Sequence, residues 1–63
     1  LADIATIIRY AKGYLKPTGF LLIEHGYDQA NNVQYIFNQE GYQDIQSLKD
    51  LAGLDRITMG RYQ

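Results

Sequence analysis

Apolar residues recur near the start of the chain at Ile4, Ile7, Ile8, Ala11 and Leu15. That i, i+3, i+4, i+7, i+11 spacing lines one side of a 3.6-residue turn and predicts an amphipathic helix over residues 2–15. Arg9, Lys12 and Lys16 fall off the stripe, and the two lysines suit the negative end of the helix dipole. "KPTG" then breaks the pattern, because Pro17 cannot continue a helix and Gly19 accepts turn conformations. "FLLIE", residues 20–24, follows as an unbroken apolar run with no polar face to offer solvent. That pattern predicts a parallel strand covered on both faces.

The helical period returns over residues 28–40, with Ala30, Val33, Ile36 and Phe37 as the stripe and Asp28 as the expected cap of the first turn. Gly41 is placed to end that helix in a left-handed conformation, with Tyr42 packing back on Phe37 as in a Schellman cap. "DIQSL", residues 44–48, is weakly apolar and predicts an exposed or edge strand. "RITMGR", residues 56–61, alternates, with Ile57 and Met59 on one face and Thr58 and Gly60 on the other. "KDLAGLD" between them offers Gly53 as a turn residue and predicts an antiparallel hairpin.

The predicted order is therefore helix, strand, helix, strand, strand, an α/β arrangement with a terminal antiparallel hairpin. A strand–helix–strand unit implies a right-handed crossover. Two short helices cannot readily cover both faces of such a sheet, and the free edge of "FLLIE" calls for another strand. Residues 1–63 thus read as one end of a larger α/β domain.

Composition supports that reading. A chain of 63 residues buries only about 60% of the surface it exposes when unfolded, which makes independent stability marginal. It has no cysteine and one histidine, so disulfide staples are excluded and no metal centre is expected. The net charge is −1, with six basic and seven acidic residues scattered along the length. Without a basic stripe there is no footprint for direct nucleic-acid binding. "FLLI" is far too short to span a membrane, so no membrane partner is expected. The chain starts at Leu1 with neither an initiator methionine nor a signal-peptide pattern, which fits an excised or processed segment. The lack of cysteine is compatible with a cytoplasmic location.

Candidate chemistry gathers where "FLLIE" ends. Ligands of open parallel sheets bind beyond the carboxyl ends of the strands, the place taken by Glu24 and His25. A carboxylate beside an imidazole could serve proton transfer or substrate orientation. Equally, Glu24 could satisfy loop amides while His25 stays half exposed. Gly26 could admit a ligand closely or supply a positive φ at the turn. Gln29 could bond a ligand or be a solvated first-turn side chain. No "GxGxxG" run, phosphate loop or activated serine or cysteine motif is present. Tyr10, Tyr14, Tyr35 and Tyr42 suit the rim of a core, ring packed and hydroxyl wet. Arg56 and Arg61 are expected to pair with Asp50 or Asp55, each exposed pair worth about 0 to 1 kcal/mol.

Taken jointly, "GFLLIEHGYDQANNV" and "GYQDIQSLKDLAGLDRITMGR" are far more specific than any single part. They closely resemble the carboxyl-terminal end of the release factor glutamine methyltransferases, the HemK/PrmC family. The carriers are "LIEHG" followed by Gln29, the "GY" before the next strand, "KDLAGLDR" and the closing "GR"; "LKPTG" also matches. The resemblance covers essentially the whole chain. Departures are small: the family often has two glycines where Thr18 and Gly19 stand, and position 27 varies.

The resemblance implies the carboxyl-terminal portion of a class I, S-adenosylmethionine-dependent methyltransferase with a Rossmann-like sheet. In that sheet the seventh strand is antiparallel and inserts between the fifth and sixth, here "RITMGR" between "FLLIE" and "DIQSL". It also implies methyl transfer to the side-chain amide nitrogen of the glutamine in the Gly-Gly-Gln motif of peptide-chain release factors. S-adenosylmethionine would be the cofactor of the full-length enzyme, with none expected on residues 1–63 alone. The family's Asn-Pro-Pro-Tyr motif and glycine-rich cofactor loop are absent here, so no catalytic or cofactor-binding residue carries over. Glu24, His25, Gly26 and Gln29 match a family motif and are expected at the rim of the substrate pocket. The competing expectations are a non-catalytic small α/β interaction module and a methyltransferase of this fold acting on a nucleic-acid amine or another substrate.

Overall fold

The computed structural model describes residues 3–16 and 18–62. Helix α1 (Ile4–Ala11) starts at Asp3, whose Oδ1 accepts from the Thr6 amide at 2.7 Å. This side-chain oxygen takes up one of the amides that a first helical turn leaves unpaired. The helix is shorter than its apolar stripe predicts. From Lys12 the chain passes into a turn, with the Gly13 amide bonded to the Tyr10 carbonyl at 3.2 Å. The start of the predicted helix at residue 2, and Pro17 of the predicted turn, lie outside the described residues. Thr18, and not Gly19, takes the left-handed conformation before the first strand, at φ 68°.

Three strands follow: β1 (Phe20–Glu24), β2 (Gln43–Lys49) and β3 (Asp55–Arg61). They form one sheet in the order β1-β3-β2, with β3 antiparallel to both neighbours. The insertion of the last strand between the other two is thus present, as is the antiparallel hairpin, whose Gly53 has φ +82°. β2 forms one edge of the sheet, as its weakly apolar sequence predicts. The expectation of a parallel "FLLIE" needs correction. β1 shares its direction with β2, but its hydrogen-bonded neighbour is the antiparallel β3.

Helix α2 (Ala30–Gln39) is entered through a short 3-10 turn, Tyr27–Gln29, so the predicted single helix from Asp28 divides at Ala30. Its exit is the predicted Schellman cap. Gly41 has φ 86°, its amide bonds to the Asn38 carbonyl and the Tyr42 amide to the Phe37 carbonyl, both at 3.1 Å. The Tyr42 ring meets the Phe37 ring edge-on with centroids 4.8 Å apart. Ile8, Ile23, Val33, Phe37 and Tyr42 make one buried core, which α1 and α2 close against a single face of the sheet. Lys12 joins the helices, its Nζ 2.9 Å from Glu40 Oε1.

The other face is open. Phe20 is 41% and Leu22 52% exposed, and Leu48 also faces solvent. "FLLIE" is therefore covered on one face and not on both, because both helices lie on the same side. Thr58 and Gly60 are the inward pair of β3, while Ile57 and Met59 are only half-buried. The tyrosine expectation also changes. Tyr10, Tyr14 and Tyr35 are largely exposed, whereas Tyr42 is buried and its hydroxyl donates to the Ile8 carbonyl at 2.7 Å. Among the described residues, no helix is long and apolar enough to cross a membrane.

Candidate functional site

Alternation along β1 turns Leu21 and Ile23 inward and Phe20, Leu22 and Glu24 toward the open face. Glu24 is accordingly exposed at the end of the strand. His25, half-buried, goes the other way. Its amide donates to the Arg56 carbonyl at 2.9 Å, which extends the pairing of β1 with β3 by one residue. Its ring then reaches inward, with Nε2 2.7 Å from Thr58 Oγ1 and Nδ1 2.7 Å from the Gly26 carbonyl. The two neighbours point to opposite sides of the sheet, so the structure does not bring them together as a carboxylate–imidazole couple.

Gly26 and Gln29 are brought together. Gln29 Oε1 accepts from the Gly26 amide at 2.8 Å, and the Gln29 amide donates to the Gly26 carbonyl at 2.9 Å. Gln29 thus does for the start of the helical segment what the sequence assigns to Asp28, and it takes the loop amide that Glu24 was expected to satisfy. Gly26 does not need a positive φ; it is extended, at φ −69° and ψ 153°. A Cβ there would stand 3.1 Å from Asp28 Oδ1 and 3.3 Å from Gln29 Oε1. Glycine at this position leaves room for those side chains to fold back over the loop.

The His25 ring opens a row of hydrogen bonds that the sequence reading missed. Thr58 Oγ1 is 2.7 Å from Ser47 Oγ, which accepts from Gln34 Nε2 at 2.8 Å. Thr58 is wholly buried, and Ser47 is its cross-strand partner on β2. The row therefore links the loop after β1 to β3, β2 and α2. Its sequence signal is faint: a threonine at the same parity as Gly60, opposite a serine.

Arg56 borders the same end of the sheet. Its Nε is 3.0 Å from Asp50 Oδ2, and its guanidinium lies 5.7 Å from the centre of the Tyr27 ring. Arg56 thus pairs with Asp50 as expected, but Arg61 pairs with Asp44, at 2.7 Å, and Asp55 takes Lys49. Asp44 reaches Arg61 because a bulge between Gln43 and Gln46 turns it to φ 53°. The Asp50 carboxylate also accepts from the Leu54 and Ala52 amides. The bond from Leu54, followed by Arg56, holds its pKa below the ordinary aspartate value. A shallow depression lies elsewhere, between α2 and Ile45, lined by Asn31, Gln34, Tyr35 and Asn38. None of Glu24, His25, Gly26 or Gln29 lines it. Among the described residues, no group of three or more histidine, aspartate or glutamate side chains could hold a metal ion.

Comparison with known proteins finds curated relatives over nearly the whole chain. The chain is 42% identical over 62 residues, 98% of its length, to the release factor glutamine methyltransferase of Yersinia pestis. It is 48% identical over all 63 residues to that of Vibrio cholerae, and 46% over 61 residues to that of Coxiella burnetii. The chain is a segment of the release factor glutamine methyltransferase family. It spans 22% of the length of each of these methyltransferases. No family model matches it.

Proposed function

We propose that the chain forms the carboxyl-terminal part of an S-adenosylmethionine-dependent methyltransferase that modifies the Gly-Gly-Gln glutamine of peptide-chain release factors. The observation that carries this reading is the 42–48% identity, across 97–100% of the chain, to proteins named for that activity. The sheet order supports the finer fold assignment. With β1, β2 and β3 as the fifth, sixth and seventh strands of a Rossmann-like sheet, the antiparallel β3 falls between the other two. The uncovered apolar face, with Phe20 and Leu22 exposed, suits a sheet that receives a second layer from the rest of the enzyme.

In the whole enzyme Glu24, His25, Gly26 and Gln29 would stand at the rim of the pocket that receives the glutamine, beyond the carboxyl end of β1. The described residues do not fit S-adenosylmethionine by themselves. Gln29 Oε1 and both ring nitrogens of His25 are committed within the loop and sheet, and no glycine-rich cradle is present. The cofactor would be held by residues outside this chain, and the fragment alone would be inactive. The release factor would be the protein partner, met in the cytoplasm.

The test is methyl transfer by the intact enzyme that contains this chain. Mass spectrometry of the release factor should show one added methyl group on the Gly-Gly-Gln glutamine. Transfer to a nucleic acid, with no modification of the release factor, would overturn the substrate assignment. Calorimetric titration of residues 1–63 with S-adenosylmethionine should show no binding. Tight stoichiometric binding would overturn the view that the cofactor site lies elsewhere.

A further inference from the structure

The Gly26 carbonyl can only accept a hydrogen bond, so its 2.7 Å contact with His25 Nδ1 places a proton on that nitrogen. In a neutral ring Nε2 then carries a lone pair, and the Thr58 hydroxyl at 2.7 Å donates to it. Having given its hydrogen, Thr58 Oγ1 receives one from Ser47, 2.7 Å away. Ser47 in turn receives from the Gln34 amide at 2.8 Å. Every hydrogen in the row has one acceptor, and the direction runs from α2 through β2 and β3 to the loop after β1.

The contact at the carbonyl decides which nitrogen must carry a proton. The other neutral tautomer sets the Nδ1 lone pair against the carbonyl oxygen at 2.7 Å. A charged ring keeps the hydrogen on Nδ1, adds one on Nε2 and turns Thr58 toward Ser47, whose half-buried hydroxyl can still reach water.

We infer that His25, with a proton on Nδ1, is a positioning residue for the substrate rim. It clamps the Gly26 carbonyl to the inside of the sheet, and so presents Glu24 and Gln29 to a protein substrate in one arrangement. Both ring nitrogens are committed inside the fold, so His25 is not the base that receives a substrate proton. What the loop faces rests on the methyltransferase reading; the proton assignment does not.

Two measurements on the intact enzyme test this. Long-range proton–nitrogen NMR should show His25 Nδ1 protonated. A bare Nδ1 overturns the assignment. In steady-state kinetics, Thr58→Val and His25→Ala should raise KM for the release factor about tenfold and leave kcat within about twofold, the mark of lost binding geometry. His25→Asn, whose amide nitrogen can stand where Nδ1 stood, should recover part of the wild-type KM. A hundredfold or larger loss of kcat at unchanged KM would make His25 a proton-transfer group instead. Unchanged constants in His25→Ala would show that the loop needs no clamp. Should Thr58→Val fail to fold, the His25 variants at a half-buried loop position carry the same readout. An enzyme that methylates no release factor overturns the functional reading and the positioning role together, while the NMR result stands or falls on its own.

Discussion

Thr18 holds a conformation that its side chain disfavours. At φ 68° its branched Cβ crowds the backbone, at roughly 1–2 kcal/mol, whereas glycine adopts this region freely. Thr18→Gly also loosens the unfolded chain by about 0.4–1 kcal/mol, so a net stabilisation of about 0 to 1.6 kcal/mol is expected in urea unfolding. Gly60 is the converse case. A Cβ there would stand 2.8 Å from Phe37 Cδ1 and 3.2 Å from Tyr42 Cβ. Gly60→Ala should destabilise the chain by about 1–3 kcal/mol through overpacking, read by the same measurement. The sequence made the need for Gly41 legible, because a helix stripe ended there. It hid Gly60, whose reason is a ring arriving from α2. It hid Thr58 for a similar cause: the alternation of β3 separates two faces but does not say which one the helices cover, and the more apolar pair, Ile57 and Met59, is the one left half-buried.

Among the elements, the hairpin and the helix ends are held by carboxylates, exposed at Asp3 and Asp50 and half-buried at Glu40. The Thr6 amide holds the Asp3 carboxyl below its usual pKa, and Lys12 does the same for Glu40, as the Leu54 amide does for Asp50. A carboxyl lowered in the folded state stabilises it above the unfolded-state pKa and loses that contribution as pH falls through the folded-state value. Thermal unfolding should therefore be flat near neutrality and its midpoint should drop below about pH 4. Asp50→Asn should shrink the acid drop, and hydrogen exchange should show faster opening of the Leu54 amide; an undiminished drop would place the acid sensitivity elsewhere. The strands and the cap after α2 were legible because period and turn chemistry agree there. The division of α2 at Ala30 was not, since Gln29 acts through a bond back to Gly26 that no periodicity encodes.

At the scale of the whole molecule, the open face of the sheet separates the isolated chain from the enzyme. Leu22→Lys should reduce self-association of residues 1–63, followed by analytical ultracentrifugation, with little loss of stability. The same change should destabilise the intact enzyme by several kcal/mol if a second layer covers Leu22; equal tolerance in both would argue against that layer. The expectation of an incomplete domain rests on two short helices and an unbroken apolar strand. The parity of burial was not legible, because an unbroken apolar run such as "FLLIE" does not say which face the helices cover. The place of β3 also has a temporal side. β1 and β2 have no sheet partner among the described elements until β3, which follows both in the chain, enters between them. On the ribosome, then, the β2–β3 hairpin would close first, and β2 would have no sheet partner until it does. Translation stalled before Asp55 clears the exit tunnel should leave nascent chains protease-sensitive from Gln43 onward, and release past Arg61 should protect β2 and β3 together.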